Sequence, residues 1–274
     1  MKLIFRSALY LVFSFTACNN DKATSGTGNP DRTNSSIPLI NYAVINTYPH
    51  DTTSFTEGLL VHDGLIYEST GSPEDMMQTR SLFGNIDLAT GKISKKVELD
   101  REKYFGEGIS FLRGKIYQLT YKNKKGFIYE AKTFKKLGEF EFPSAEGWGM
   151  TTDGNYLIMS DGTNTITYLD PDDFRIIKKL NVATNAGPVM QVNELEFIDN
   201  FIYANVYETS TIIKIDTSTG KVAARLELGS LATDAKSRYA GSMEMNGVAY
   251  DPVLHKIYIT GKMWPTLYEI QFPH

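Results

Sequence analysis

Five times along the chain an apolar pair closes a similar segment: Ile66-Tyr67, Ile116-Tyr117, Leu157-Ile158, Ile202-Tyr203 and Ile257-Tyr258. The segments start at Glu57, Glu107, Trp148, Asn193 and Asn246, which are 50, 41, 45 and 53 residues apart. In the first four the pair begins nine residues after the start, and in the fifth two residues are inserted around Asp251-Pro252. The turns keep the same phase: DLATGK (87–92) and DTSTGK (216–221) fall where EAKTFK (130–135) and DPDDFR (170–175) fall in their own segments. No stretch shows a sustained helical period, and short runs rich in Tyr, Ile, Phe and Val recur between Gly, Asp and Asn turns. A repeat of this length with four short strands cannot bury its own apolar face, so its copies must stack around a common centre. The expectation is an all-β fold, a five-bladed β-propeller with four strands per blade. A β-sandwich would also show regular strands, but it would not repeat Asp-x-x-Thr-Gly-Lys at one place in the unit.

The fifth unit ends with TLYEIQF (266–272), one strand short, while INYAVINTYP (40–49) belongs to no unit. Pairing that N-terminal strand with the C-terminal blade would close the ring and remove two sheet edges. The propeller domain is therefore drawn at 37–274. Ahead of it, MKLIFRSALYLVFSFTAC carries Lys2 and Arg6, then an apolar run from Ala8 to Phe15, then small residues up to Cys18, the single cysteine of the chain. This reads as a signal peptide over 1–17. FTAC resembles the lipobox of a bacterial lipoprotein, with Phe15 in place of the usual aliphatic residue; plain secretion is the competing reading. Lipidation of Cys18 would hold the protein to the cell envelope, facing the periplasm or the surface, with no other membrane contact. Residues 18–36 have no apolar side chain larger than alanine beyond Cys18 and Pro30 and read as a flexible tether. The net charge is −4 and Lys and Arg are scattered, which leaves no basic stripe for nucleic acid.

The inner strand of each blade lines the central channel, so Glu57, Glu107, Trp148, Asn193 and Asn246 are expected to form a ring at one mouth. Three readings of that ring stand at this point. Its polar groups could simply bond the backbone at a wet channel mouth. Carboxylate and amide oxygens converging on an axis also suit Ca²⁺ or Mg²⁺, although Trp148 spoils one position of such a cage. A glutamate half desolvated beside an indole would instead hold its proton near neutrality and serve acid–base chemistry.

Further motifs carry a resemblance. FTEGLL (55–60), IYESTG (66–71), FGEGIS (105–110), IYQLTYK (116–122), EGWGM (146–150), LIMSDGT (157–163), VNELEFIDNFIYANVY (192–207), MNGVAYDP (245–252) and ITGKMWPTLYEI (259–270) resemble, in order and in all five blades, the plant and bacterial glutaminyl cyclases. The resemblance implies a five-bladed propeller that converts N-terminal glutamine of peptides or proteins to pyroglutamate with release of ammonia. It implies Glu107, in FGEG, as the general acid–base and places Asn193 and Lys262 in the pocket, where the mechanism expected here has them hydrogen-bonding the substrate amide or its oxyanion. Phe55, Glu57, Tyr121, Trp148 and Tyr207 would line the substrate pocket. The family usually has glutamine at Glu57 and tryptophan at Tyr121 and Tyr207. The tyrosines keep an aromatic wall; Glu57 places a second carboxyl near Glu107, which would raise one pKa or tie up Lys262. No metal or cofactor is required, a structural Ca²⁺ on the axis stays open, and a monomer is expected. Two competing functions are a metal-dependent, lactonase-like hydrolase using Glu57, Glu107, Asn193 and Asn246 as ligands, and a non-catalytic binding propeller.

The remaining polar residues receive structural readings. His50, His62, His255 and His274 share no ligand spacing and are placed in surface loops. Glu68 and Gln118 follow equivalent strand pairs and are read as satisfied inner-strand polar groups, with a channel-facing position as the alternative. Glu194 and Glu196 alternate with Leu195 and are read as solvent-facing. Asp161 is a turn residue. SPEDMMQTR (72–80), with Met76 and Met77, is a surface loop that could rim the pocket, and 229–244 is long enough for a lid.

Overall fold

The computed structural model describes residues Ile37–His274. The signal peptide, Cys18 and the tether lie outside the described residues. Among the described residues five antiparallel four-stranded sheets make up most of the domain, with a short two-stranded ribbon of Ala183–Thr184 and Gly187–Pro188 beside them. Their inner strands are Phe55–His62, Gly106–Leu112, Met150–Thr152, Val192–Ile198 and Met245–Asp251. Four sheets are built from consecutive strands, as the repeat requires. The fifth is completed by Ala43–Pro49, which pairs antiparallel with Thr266–Gln271 and closes the ring with a strand from the other end of the chain. Upstream of it, residues 38–40 run parallel to the outermost strand of the fourth blade, with Ile40 N–H donating to Arg225 O (2.8 Å) and Arg225 N–H to Pro38 O (2.9 Å). Residues 38–49 thus join two blades. Among the described residues no helix is long and apolar enough to cross a membrane.

The apolar residues form five cores, each shared by two neighbouring blades. Leu60, Tyr67 and Phe83 of the first blade pack on Ile109, Ile116 and Phe127 of the second. Leu59, Ile66 and Ile86 of that same first blade pack on Ala249, Tyr258 and Leu267 of the fifth. A blade is therefore buried on both faces, the reason one unit cannot fold alone. The turn acids act as expected for Asx turns: Asp87 Oδ1 accepts from Ala89 N–H (2.8 Å) and Asp216 Oδ1 from Ser218 and Thr219 N–H (2.9 and 2.8 Å). Asp161 likewise accepts from Thr163 N–H.

Near the axis the inner strands touch backbone to backbone. A Cβ on Gly108 would lie 2.4 Å from Met150 N, and one on Gly149 would lie 2.3 Å from Asn193 O. The fourth blade has Glu194 in this register, and its side chain spans the axis. Oε1 accepts from Leu59 N–H of the first blade (3.2 Å) and Oε2 from Val248 N–H of the fifth (2.9 Å). Glu196 accepts from Tyr250 N–H (2.9 Å). Both glutamates are buried, which corrects the solvent-facing assignment: an inner strand is covered on both faces, so alternation there does not separate core from water.

His50 is also corrected. It is buried, whereas His62, His255 and His274 are partly or well exposed. Glu68 and Gln118 are satisfied as expected, Glu68 by His50 and Thr56, and Gln118 by Ser69 and Tyr129. The 229–244 segment is no lid. Its helix, Gly229–Arg238, sinks Leu231 and Ala235 into the core shared by the fourth and fifth blades.

Burial raises the Glu196 carboxyl to about 8, against a lowering by its bond from Tyr250 N–H. In the unfolded chain this group ionises near 4.5. Between those values the folded state holds the extra proton, so the contribution is complete below about pH 4.5 and is lost as pH rises towards 8. Urea midpoints measured at pH 5 and pH 8 should therefore converge in Glu196→Gln relative to the parent chain.

Candidate active site

The ring residues reach the channel mouth by a local device shared by four blades. In each, the pairing between inner and second strand slips at the ring position: between Thr56 and Gly58, Gly106 and Ile109, Val192 and Leu195, and Met245 and Val248. A bulge re-aims the side chain it carries, here Glu57, Glu107, Asn193 and Asn246. Trp148 stands just before its strand, its carbonyl accepting from Gly108 N–H (2.8 Å). The preceding blade steadies the next ring position. Ser69 donates to Glu107 O (2.5 Å), Ser160 to Asn193 O (2.6 Å), and Asn205 Oδ1 accepts from Gly247 N–H (3.2 Å).

A cleft of about 200 Å³ opens at this mouth. All eight residues expected there, Phe55, Glu57, Glu107, Tyr121, Trp148, Asn193, Tyr207 and Lys262, line it together with Pro73 and Phe105. Pro73 belongs to the 72–80 loop, which therefore does rim the pocket. The wall is aromatic: Trp148 meets Tyr207 edge-on with centroids 5.5 Å apart, and Phe105 bridges Phe55 (6.0 Å) and Tyr121 (5.8 Å). Glu146 fixes the indole by accepting from Trp148 Nε1–H (2.9 Å).

The floor is charged. Lys262 Nζ lies 2.8 Å from Glu57 Oε1, with the two side chains 6% and 3% exposed, so water screens this pair little. The ammonium also sits 4.5 Å from the Phe55 ring centroid and 5.2 Å from that of Tyr207. Asn246 Nδ2–H donates to Glu57 Oε2 (3.0 Å). Burial pushes Glu57 up, Lys262 and Asn246 pull it back, and it settles at about 7. Glu107 is driven well above the usual carboxyl range, first by burial and then by Glu57, with only partial relief from Lys262. Its Oε2 is buried with no hydrogen-bond partner in the protein, and so is Asn193 Oδ1. One lysine thus faces two carboxyls and is bound to one of them. The ion pair with Lys262 makes Glu57 the more readily ionised of the two and leaves Glu107 the more strongly held in its protonated form. Lys262 itself is raised, because the two glutamates outweigh its burial.

Glu57 is therefore both of the things expected of a second carboxyl: it ties up Lys262 and it raises Glu107. The donor set suits a built-in ammonium better than a divalent cation, since Lys262 already neutralises Glu57 at contact distance. Among the described residues no cluster of three or more His, Cys, Asp or Glu side chains is placed to hold a metal ion. Phe105, Pro73 and Glu146 were not singled out from the sequence. Phe105 and Glu146 sit in the same short motifs as Glu107 and Trp148, FGEG and EGWG, so their nearness was the available signal. Pro73 lies in an insertion that no repeat predicts.

The sequence model of the glutamine cyclotransferase family matches residues 12–272. Over 230 residues the chain is 34% identical to the glutaminyl-peptide cyclotransferase of Arabidopsis thaliana, covering 83% of this chain and 70% of that protein. Among solved structures it is similar to the crystal structure of Myxococcus xanthus glutaminyl cyclase, with a TM-score of 0.76 and 28% identity over 86% of this chain and 98% of that one. With a ring of bulged inner strands, an aromatic cleft and a family match over nearly its whole length, the chain belongs to the glutamine cyclotransferase family.

Proposed function

We infer that the chain is a glutaminyl-peptide cyclotransferase, which closes the N-terminal glutamine of a peptide or protein into pyroglutamate and releases ammonia, and that Glu107 moves the protons. The observation that carries the reading is a buried acid, Glu107, whose Oε2 has no partner in the protein, beside an equally unpartnered Asn193 Oδ1 in an aromatic cleft. Both residues line the cleft, so their unpartnered atoms leave hydrogen-bonding capacity for a ligand that brings its own donors and acceptors, as a carboxamide and an amine do.

In the reaction the free α-amino nitrogen attacks Cδ of its own side chain. The N–Cδ bond forms, the Cδ–Nε2 bond breaks, and one proton passes from the attacking to the departing nitrogen. Both reacting groups belong to one residue, so the cleft need only select the folded rotamer, a task for the walls of Trp148, Tyr121, Tyr207 and Phe105. Glu107 enters protonated, gives its proton to the leaving nitrogen and recovers one from the amine, ending as it began. The carbonyl oxygen is negative midway, and the Lys262 ammonium supplies the compensating charge. Asn193 Oδ1 accepts from the substrate's amide or amine N–H. In this reading Lys262 does the work a cation would do and no metal or cofactor takes part; a structural Ca²⁺ on the axis would lie outside the chemistry. The cleft is complete within one chain, which supports action as a monomer. Residues 1–36 support a place in the cell envelope, with Cys18 lipidated and the propeller tethered outside the membrane.

Incubating the protein with a peptide that begins with Gln should give loss of one ammonia by mass spectrometry, insensitive to chelators. Chelator-sensitive hydrolysis without that loss would favour the metal-dependent reading. Glu107→Gln should fold normally and lose about 10²–10⁴-fold in kcat. A Glu107→Gln protein with the parent kcat would remove this residue from the chemistry. Activity needs the substrate amine free and Glu107 protonated, so kcat should fall on the alkaline side as Glu107 ionises. In Glu57→Gln the neighbouring negative charge is gone and Lys262 is released, both of which ease ionisation of Glu107. The alkaline limb should move to lower pH, read from kcat profiles of the two proteins.

A further inference from the structure

Adjoining the Lys262–Glu57 ion pair is a buried polar chain that the reaction above does not use. It starts at His50, the residue that follows the closing strand. His50 N–H donates to Pro265 O (3.0 Å), its Nδ1 lies 2.7 Å from Trp264 O, and its Nε2 lies 3.1 and 3.2 Å from the two oxygens of Glu68. Both side chains are 0% exposed. Thr260 stands 3.4 Å from Nδ1 but gives its hydroxyl hydrogen to Thr266 O. Thr56 donates to Glu68 Oε1 (2.7 Å), and the Thr56 carbonyl accepts from Asn246 Nδ2–H (2.9 Å), the same amide group that donates to Glu57. One unbroken set of contacts therefore runs from the 261–265 turn, which carries Lys262, to the strand start that carries Glu57.

The chemistry of the partners fixes the proton count. Trp264 O can only accept, so Nδ1 carries a hydrogen. Nε2 faces a carboxyl in a dry interior, where two bare acceptors would repel, so one proton is shared between imidazole and carboxyl. Folding alone does not call for such a pair, because apolar side chains of similar volume commonly stabilise as well or better. What an apolar pair could not do is grip a backbone carbonyl in the Lys262 turn and a hydroxyl beside Glu57 at once.

We propose that His50 and Glu68 are positioning residues for the cyclisation: by clasping the 261–265 turn and, through Thr56, the start of the first inner strand, they hold Lys262 against Glu57. The proposal rests on the cyclotransferase reading and adds that ring closure and the reacting geometry are one structure, since the clasp is the end of the strand that closes the propeller. His50→Leu removes both donors and should lower kcat by about 10–100-fold while leaving KM within about twofold, because substrate still binds but the ammonium is misplaced. Thr56→Val removes the bond to Glu68 together with the longer contact of the same hydroxyl to Gly261 O (3.3 Å), and should lower kcat about 3–10-fold. Glu68→Gln can donate to Nε2 and still accept from Thr56, so it should remain within about threefold of the parent kcat. A second readout needs no turnover: the chain has two tryptophans, so in a Trp148→Phe background the emission reports Trp264 alone. That emission should shift to longer wavelength with His50→Leu and not with Glu68→Gln. A folded His50→Leu or Thr56→Val protein with the parent kcat overturns the proposal, as does Glu68→Gln falling as far as His50→Leu. If His50→Leu does not fold, Thr56→Val decides. If the parent chain releases no ammonia from a Gln peptide, the cyclotransferase reading falls. The clasp is then judged by Trp264 emission, and an unmoved spectrum in folded His50→Leu ends it.

Discussion

Five inner strands can meet on one axis only where their backbones are free to touch. Gly108 and Gly149 provide that contact, and the chain places Gly58 and Gly247 at the same register in the first and fifth blades. In the fourth blade Glu194 takes the remaining central space and bonds two strands that would otherwise leave N–H groups without partners. This crowding explains the acidic residue followed by glycine at the start of a buried strand. The glycine is demanded by the axis, and the residue before it, displaced by the bulge, is delivered to the mouth. Packing and chemistry are thus set by adjacent positions of one dipeptide.

Delivery alone would give a ring of polar groups competing for each other. The arrangement is instead uneven, and the unevenness is electrostatic. Lys262 and Asn246 both serve Glu57, which leaves Glu107 with its charge disfavoured by burial and by a neighbouring carboxylate. A single lysine shared unequally between two carboxyls sets their proton affinities apart, which is what the proton transfer proposed for Glu107 requires. The aromatic wall adds to this by keeping water away from Glu107 without offering it a donor.

Where a feature repeats along the chain, the sequence was readable. The blade count, the hairpin turns, the closing strand and the ring all follow from a phase that survives five copies, and the eight cleft residues come together as the resemblance implied. What could not be read were contacts between copies. Glu194 and Glu196 look like the wet face of a strand because alternation assumes water on one side, and these strands have none. His50 sits between a strand and a DTTS turn and looks like loop. It is covered by the 261–265 turn, more than two hundred residues away, and nothing local records that. Glu68 was the available hint: a carboxyl inside an apolar second strand requires a buried donor. Pro73 enters the cleft from an insertion outside the repeat.

The parallel contact of residues 38–40 with the outer edge of the fourth blade bears on how the domain responds to tension. Force applied at the start of the described domain acts first on the Ile40–Arg225 and Arg225–Pro38 bonds, before the antiparallel strand Ala43–Pro49 is loaded. Those bonds lie on a blade other than the one the strand completes, so a tug is spread over two sheets rather than peeling one. Under a pull from that side, these bonds would yield before the strand whose loss would unseat His50.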